Sequence, residues 1–104
     1  MEIHEEERGG VLVLAVAGRL DSNTAPAFDA ALAARLQAGK KALLVDCDRL
    51  EYISSAGLRV FIKTVKALKA DNGVLAACAM QDHVREVFEI SGFDAFVPTH
   101  GSRD

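Results

Sequence analysis

Three runs, residues 11–17, 42–47 and 74–80, apolar throughout but for Asp46, constrain this chain more than any other feature, because each is strand-sized and each is followed by a segment of helical periodicity. They are far short of the ~20 apolar residues needed to cross a bilayer. They also lack the polar alternation of a strand with one wet face, so they read as strands covered on both faces. After the first run, Asn23 or Thr24 can cap a helix that tolerates Pro26 in its first turn and repeats Phe28, Leu32 and Leu36 before Gly39. After the second, Leu58, Phe61, Ile62, Val65 and Leu68 form one apolar stripe. After the third, Asp82 can cap a short helix through residue 89, carrying Val84, Val87 and Phe88 and closed by Gly92. Residues 2–8 read as a polar edge strand joined to the first run by the turn Gly9-Gly10. Residues 93–97 read as a short final strand or extended segment, and 98–104 as a frayed tail. The expected order is β-β-α-β-α-β-α-β. Strands alternating with helices pair in parallel through right-handed crossovers, and the opening hairpin makes the sheet mixed. The chain is therefore expected to be one α/β domain over residues 1–104, with its core in about 3–97.

Composition narrows the function classes. A formal net charge of −3 on 104 residues is no electrostatic footprint for nucleic acid, and no nucleic-acid motif is present. The first residues lack the basic and apolar regions of a secretory signal, so the cytoplasm is the expected location, without membrane insertion. Cys47 and Cys78 stand apart inside apolar runs, as small buried thiols do, and His4, His83 and His100 have no histidine or cysteine at i+3 or i+4. Asp46 and Asp48 end a strand, but no further acidic cluster or lysine is placed to complete a metal or phosphoacceptor site. Without a Gly-rich phosphate loop either, no metal and no cofactor is expected. A serine hydrolase would need an elbow that Ser54-Ser55-Ala56-Gly57 does not supply, and a histidine with an orienting acid.

The chemistry-bearing stretch is Tyr52-Ile53-Ser54-Ser55-Ala56-Gly57-Leu58, where a short crossover over residues 49–53, following the second apolar run, leads into the second helix. Two serines at a helix start can cap it, and with small residues behind them a hydroxyl there can also face a partner. Asp21 can serve a turn ahead of the first helix or a binding surface. On a helical wheel Val60 and Ala67 fall opposite the apolar stripe, which places an apolar side chain toward solvent. Arg59, Lys63 and Lys66 form a solvated basic edge.

The element order, Gly18-Arg19-Leu20-Asp21 and the Ser-Ser-Ala-Gly-Leu segment together resemble the STAS domain, and in particular the free-standing bacterial anti-sigma factor antagonists. The resemblance implies a STAS fold and a non-enzymatic binding module. It implies that the serine three residues before the motif leucine, Ser55, is phosphorylated by an anti-sigma factor that is itself a serine kinase. The unmodified form would capture that partner and free a sigma factor, and a serine phosphatase would reverse the modification. Asp21 matches the family's aspartate near the phosphoserine. Where the best-known members often carry Asp before the acceptor, this chain has Ser54, a less favoured second candidate. The expected docking face comprises Asp21, Asn23, Thr24, Ser54, Ser55, Ala56, Gly57, Leu58 and Val60. The rival within the same family is an adaptor subunit of an ABC-type lipid-transport complex.

Overall fold

Gly9 and Gly10, at φ of 56° and 84°, close a two-residue hairpin between β1 (Glu2–Arg8) and β2 (Val11–Leu20), with Arg8 opposite Val11. Positive φ at both central residues is what a hairpin turn matching the strand twist requires. In this computed structural model, which describes residues 1–101, the chain continues through α1 (Ala25–Gln37), β3 (Ala42–Ile53), α2 (Ser55–Ala70), β4 (Val74–Cys78) and α3 (Asp82–Ile90). A 3₁₀ turn over Phe93–Ala95 leads to β5 (Thr99–His100). The sheet order is β1-β2-β3-β4-β5, antiparallel for the first pair and parallel thereafter. The mixed α/β architecture expected from the strand–helix alternation is the one observed.

The apolar runs of β2 and β3 are buried or half-buried on both faces, but helices lie on only one of them. Each parallel strand is added beside the last in sequence order, and right-handed crossovers repeated in one direction leave every helix on the same side. All three helices therefore share one core, in which Phe28 of α1, Phe61 of α2 and Phe88 of α3 make a ladder with centroids 5.3 and 5.2 Å apart. Leu12, Leu14 and Val16 of β2 and Leu43 and Val45 of β3 face it. The opposite face carries Val13, which is buried, and the half-buried Ala15, Leu44 and Ala76, and among the described residues no helix lies on it.

Two further differences concern strand ends. The crossover expected after Cys47 is instead strand: β3 runs on to Ile53 beside β2, with register shifts between Ala15 and Ala17 and between Gly18 and Arg19. Local pattern hides this stretch because Asp48, Arg49 and Glu51 are polar, and only long-range pairing with β2 makes them strand. At the other end, residues 93–97 form the 3₁₀ turn rather than a strand. Part of the expected tail pairs in parallel with β4, Ala77 against Thr99 and Cys78 against His100. Residues 102–104 of that tail lie outside the described residues. At α3, Gln81 holds the N-cap position and Asp82 is the first helical residue, ion-paired to Arg85 at 2.7 Å.

Candidate functional site

The bulged run of β3 brings its end level with that of β2, Leu20 beside Ile53, and the next backbone step fixes the start of α2: Ser54 N–H donates to Leu20 O at 2.9 Å. Gly57 is the reason the helix can start so close. A methyl group there would sit 2.6 Å from Leu20 Cγ and 3.0 Å from Ile53 Cγ1, inside any permissible carbon contact. The glycine of the Ser-Ser-Ala-Gly-Leu segment thus lets α2 dock on the ends of two strands.

The two serines do different things. Ser54 takes the N-cap position with extended backbone, and its half-buried hydroxyl accepts from Gly57 N–H, a long contact of 3.5 Å. Ser55 is the first helical residue and its side chain is exposed. Plain N-capping, one reading open for Ser55 in the sequence, belongs to Ser54. The Ser55 hydroxyl instead meets the chain one turn ahead, where Arg59 Nη2 donates to its Oγ at 3.4 Å. The i, i+4 spacing of Ser55 and Arg59 was visible in the sequence, but the whole basic edge reads there as solvated.

The neighbouring corner is held by Asp21. Its Oδ1 accepts from the N–H groups of Asn23 (2.9 Å) and Thr24 (3.2 Å), while Thr24 Oγ1 accepts from Asp21 N–H and donates to Arg19 O at 2.8 Å. Thr24 stands at the N-cap position of α1, yet its hydroxyl makes no bond into that helix, and Asn23 does not cap it either. Thr24's side chain is drawn back into the turn that Asp21 organises. The hydrogen bond from Asn23 N–H, seconded by those from Thr24 and by Arg19, holds the Asp21 carboxyl below its ordinary value despite an opposing desolvation. Arg19 Nε lies 3.8 Å from Asp21 Oδ2, and its guanidinium sits 4.2 Å from the centroid of Tyr52. Arg19 and Tyr52 were not among the expected site residues, because their meeting depends on the shifted β2–β3 register that sets them opposite one another.

Val60 is a correction. Expected on the solvent side of α2, it is buried at 7% exposure, beside Thr64 at 3%, whose hydroxyl donates to Val60 O at 2.8 Å. The helical wheel assumes one covered face, but α2 packs on the sheet and beside α1, so its buried arc is wider. Val60 is removed from the docking face. Gly57 and Leu58 are buried as well and shape the corner from beneath, whereas Ser55 is exposed and Ser54 and Ala56 are half-buried. Further along the outer surface of α2, Arg59, Ile62, Lys63 and Lys66 border an open groove completed by Phe93, and Lys63 also ties α2 to Asp29 of α1 at 2.9 Å. No grouping of three potential metal ligands occurs among the described residues, and no described helix is long and apolar enough to cross a membrane.

The chain that builds this capped and glycine-docked helix start beside an aspartate turn matches a family model described as "Mlab, STAS domain" over residues 3–98. The chain belongs to the STAS domain family. Over its full length this STAS domain is 40% identical to a candidate anti-sigma factor antagonist, BtrV, of Bordetella bronchiseptica, covering 90% of that protein. It is 32% identical over 77 residues to the anti-sigma-B factor antagonist of Staphylococcus aureus, an overlap of 74% of this chain and 71% of that one. Among solved structures, an anti-sigma factor antagonist from Mycobacterium paratuberculosis superposes with a TM-score of 0.90 at 28% identity, covering 99% of this chain and 87% of the other. Within that family the chain groups with the anti-sigma factor antagonists.

Proposed function

We propose that this STAS domain is a cytoplasmic, phosphorylation-gated antagonist. In its unmodified form it captures a cognate anti-sigma factor that is also a serine kinase, so that a sigma factor is freed. The kinase transfers the γ-phosphoryl group of Mg-ATP to Ser55 Oγ, releasing ADP and a proton, and the modified domain lets go until a serine phosphatase removes the group. The observation that carries this reading is the division of labour between the two serines: the Ser54 hydroxyl is engaged in the cap, and the Ser55 hydroxyl is exposed at the first helical position. The names of the relatives point the same way.

The energetics suit a switch. A phosphate brings a charge of about −1.5 to −2 and three acceptor oxygens. At a helix N-terminus that charge is favoured by the dipole, so the free domain keeps its fold. A protein surface docked over the same spot has to take the charge out of water beside Asp21, at a cost of several kcal/mol. Since ~1.4 kcal/mol is a tenfold change in affinity, release follows.

The test is incubation with the cognate kinase and Mg-ATP, followed by mass spectrometry. One phosphate on Ser55, retained in Ser54→Ala and absent in Ser55→Ala, is expected, with Ser55→Ala still binding the kinase. Modification of Ser54 instead, or equal kinase affinity for the phosphorylated and unmodified forms, refutes the gating. Adaptor duty in a lipid-transport complex would appear as stable binding to a transporter subunit, with no phosphoryl transfer at all.

A further inference from the structure

Arg59 has no role in the mechanism as described, yet its guanidinium already contacts the one hydroxyl that mechanism modifies. It makes no ion pair with a carboxylate among the described residues, in contrast to Lys63, which is bound to Asp29, and Arg19, which lies against Asp21 and Tyr52. The free donors of Arg59 therefore sit one helical turn above Ser55, close enough to meet a group attached to its oxygen. An anion placed four residues before a cation is the favourable orientation on a helix. A guanidinium fork is also matched to phosphate oxygens, which a hydroxyl oxygen can satisfy only through a single bond.

We propose that Arg59 is the positioning residue for the phosphate on Ser55, turning its single contact to the hydroxyl into a guanidinium–phosphate pair within α2. This rests on Ser55 being the acceptor. The clamp holds the dianion on its own helix and partly neutralises it there, so the free phosphorylated domain is spared the repulsion from Asp21. The same pair makes redocking harder, because an approaching surface has to desolvate both partners of a bond already made or break it. Arg59 thereby sits on the unbound side of the switch, and Lys63, already held by Asp29, takes no part.

The experiment uses the full chain with phosphoserine installed at position 55 during translation, so that no kinase is needed. Phosphorus NMR titration gives the second pKa of the phosphoserine, and the nitrogen-15 spectrum of the arginine Nε–H groups reports the guanidinium. Relative to Arg59→Gln, the wild-type phosphoserine is expected to titrate lower by about 0.2–0.4 of a pH unit, the size of an exposed i, i+4 charge pair. Arg59→Lys should restore most of that difference, and Lys63→Gln should leave it unchanged. The Arg59 Nε–H resonance should move on phosphorylation. Identical titrations in wild type and Arg59→Gln, or an unmoved Nε–H signal, overturn the clamp while leaving Ser55 free to be the acceptor. A kinase that ignores Ser55 sinks the preceding proposal and leaves this measurement intact. Arg59 is exposed, so its variants fold, which circular dichroism verifies.

Discussion

Adding a single methyl group at Gly57 probes the contact on which the site is built. Gly57→Ala places its Cβ 2.6 Å from Leu20 Cγ, 2.9 Å from Leu20 Cδ2 and 3.0 Å from Ile53 Cγ1. Carbon atoms in contact sit ~3.5–4.0 Å apart, so the overlap with Leu20 is about 1 Å. Leu20 is 0% exposed and Ile53 3%, and neither can swing into solvent to relieve it. Overpacking of this kind costs about 1–3 kcal/mol, typically through off-rotamer side chains or a backbone shift. Alanine recovers up to about 1 kcal/mol of helix propensity over glycine, less in a first turn. The net expectation is a loss of about 1–2 kcal/mol, and for a domain of this length each kcal/mol lowers Tm by roughly 4–8 °C. Urea unfolding followed by circular dichroism measures it, and native-state exchange of the Ser54 amide shows whether α2 has lifted from Leu20 O. In a Leu20→Ala background the same substitution should cost less, since the clashing atoms are gone. A Gly57→Ala protein as stable as wild type, or a penalty undiminished beside Leu20→Ala, refutes the close-approach argument.

Three other outcomes are expected. Val60→Ala should lower the urea midpoint, by roughly 1–3 kcal/mol for a buried truncation of this size; if stability is unchanged and only partner binding suffers, Val60 is a surface residue after all. Asp21 has its folded pKa held below the ordinary 3.8, so its contribution is present above that value and is lost as pH falls through the folded pKa. Comparing urea midpoints at pH 5 and pH 2.5, Asp21→Asn should show a smaller drop than wild type, and equal drops would mean the turn hydrogen bonds are not coupled to folding. Burial, with smaller contributions from Cys78 and Asp46, pushes the Cys47 thiol far above its ordinary range. Cys47 should resist a thiol reagent in the native protein at pH 8 and react on unfolding, as read by mass spectrometry of the labelled peptide.

Much of this protein was written in its local sequence. Apolar runs followed by amphipathic segments determined the element order, since period and capping act over a few residues and do not need the rest of the chain. Gly9-Gly10 specified the hairpin and Gly39, at φ 86°, the exit from α1, because positive φ is a property of the residue itself. The Ser-Ser-Ala-Gly-Leu segment marked the start of α2 for the same reason, since capping is a local requirement, whereas the docking of its glycine on Leu20 is a contact made across the fold. Tertiary structure decided what pairs across distance. Residues 48–53, interrupted by the charged Asp48, Arg49 and Glu51, became strand only against β2, and Thr99 and His100 only against β4. Val60 was enclosed because the position of α1 widened the buried side of α2, a fact no single-helix wheel contains. The helix-free sheet face follows from the order in which strands were laid down. The separate duties of Ser54 and Ser55, and the reach of Arg59 to the latter, followed once α2 was seated on Leu20 and its first turn given a fixed direction.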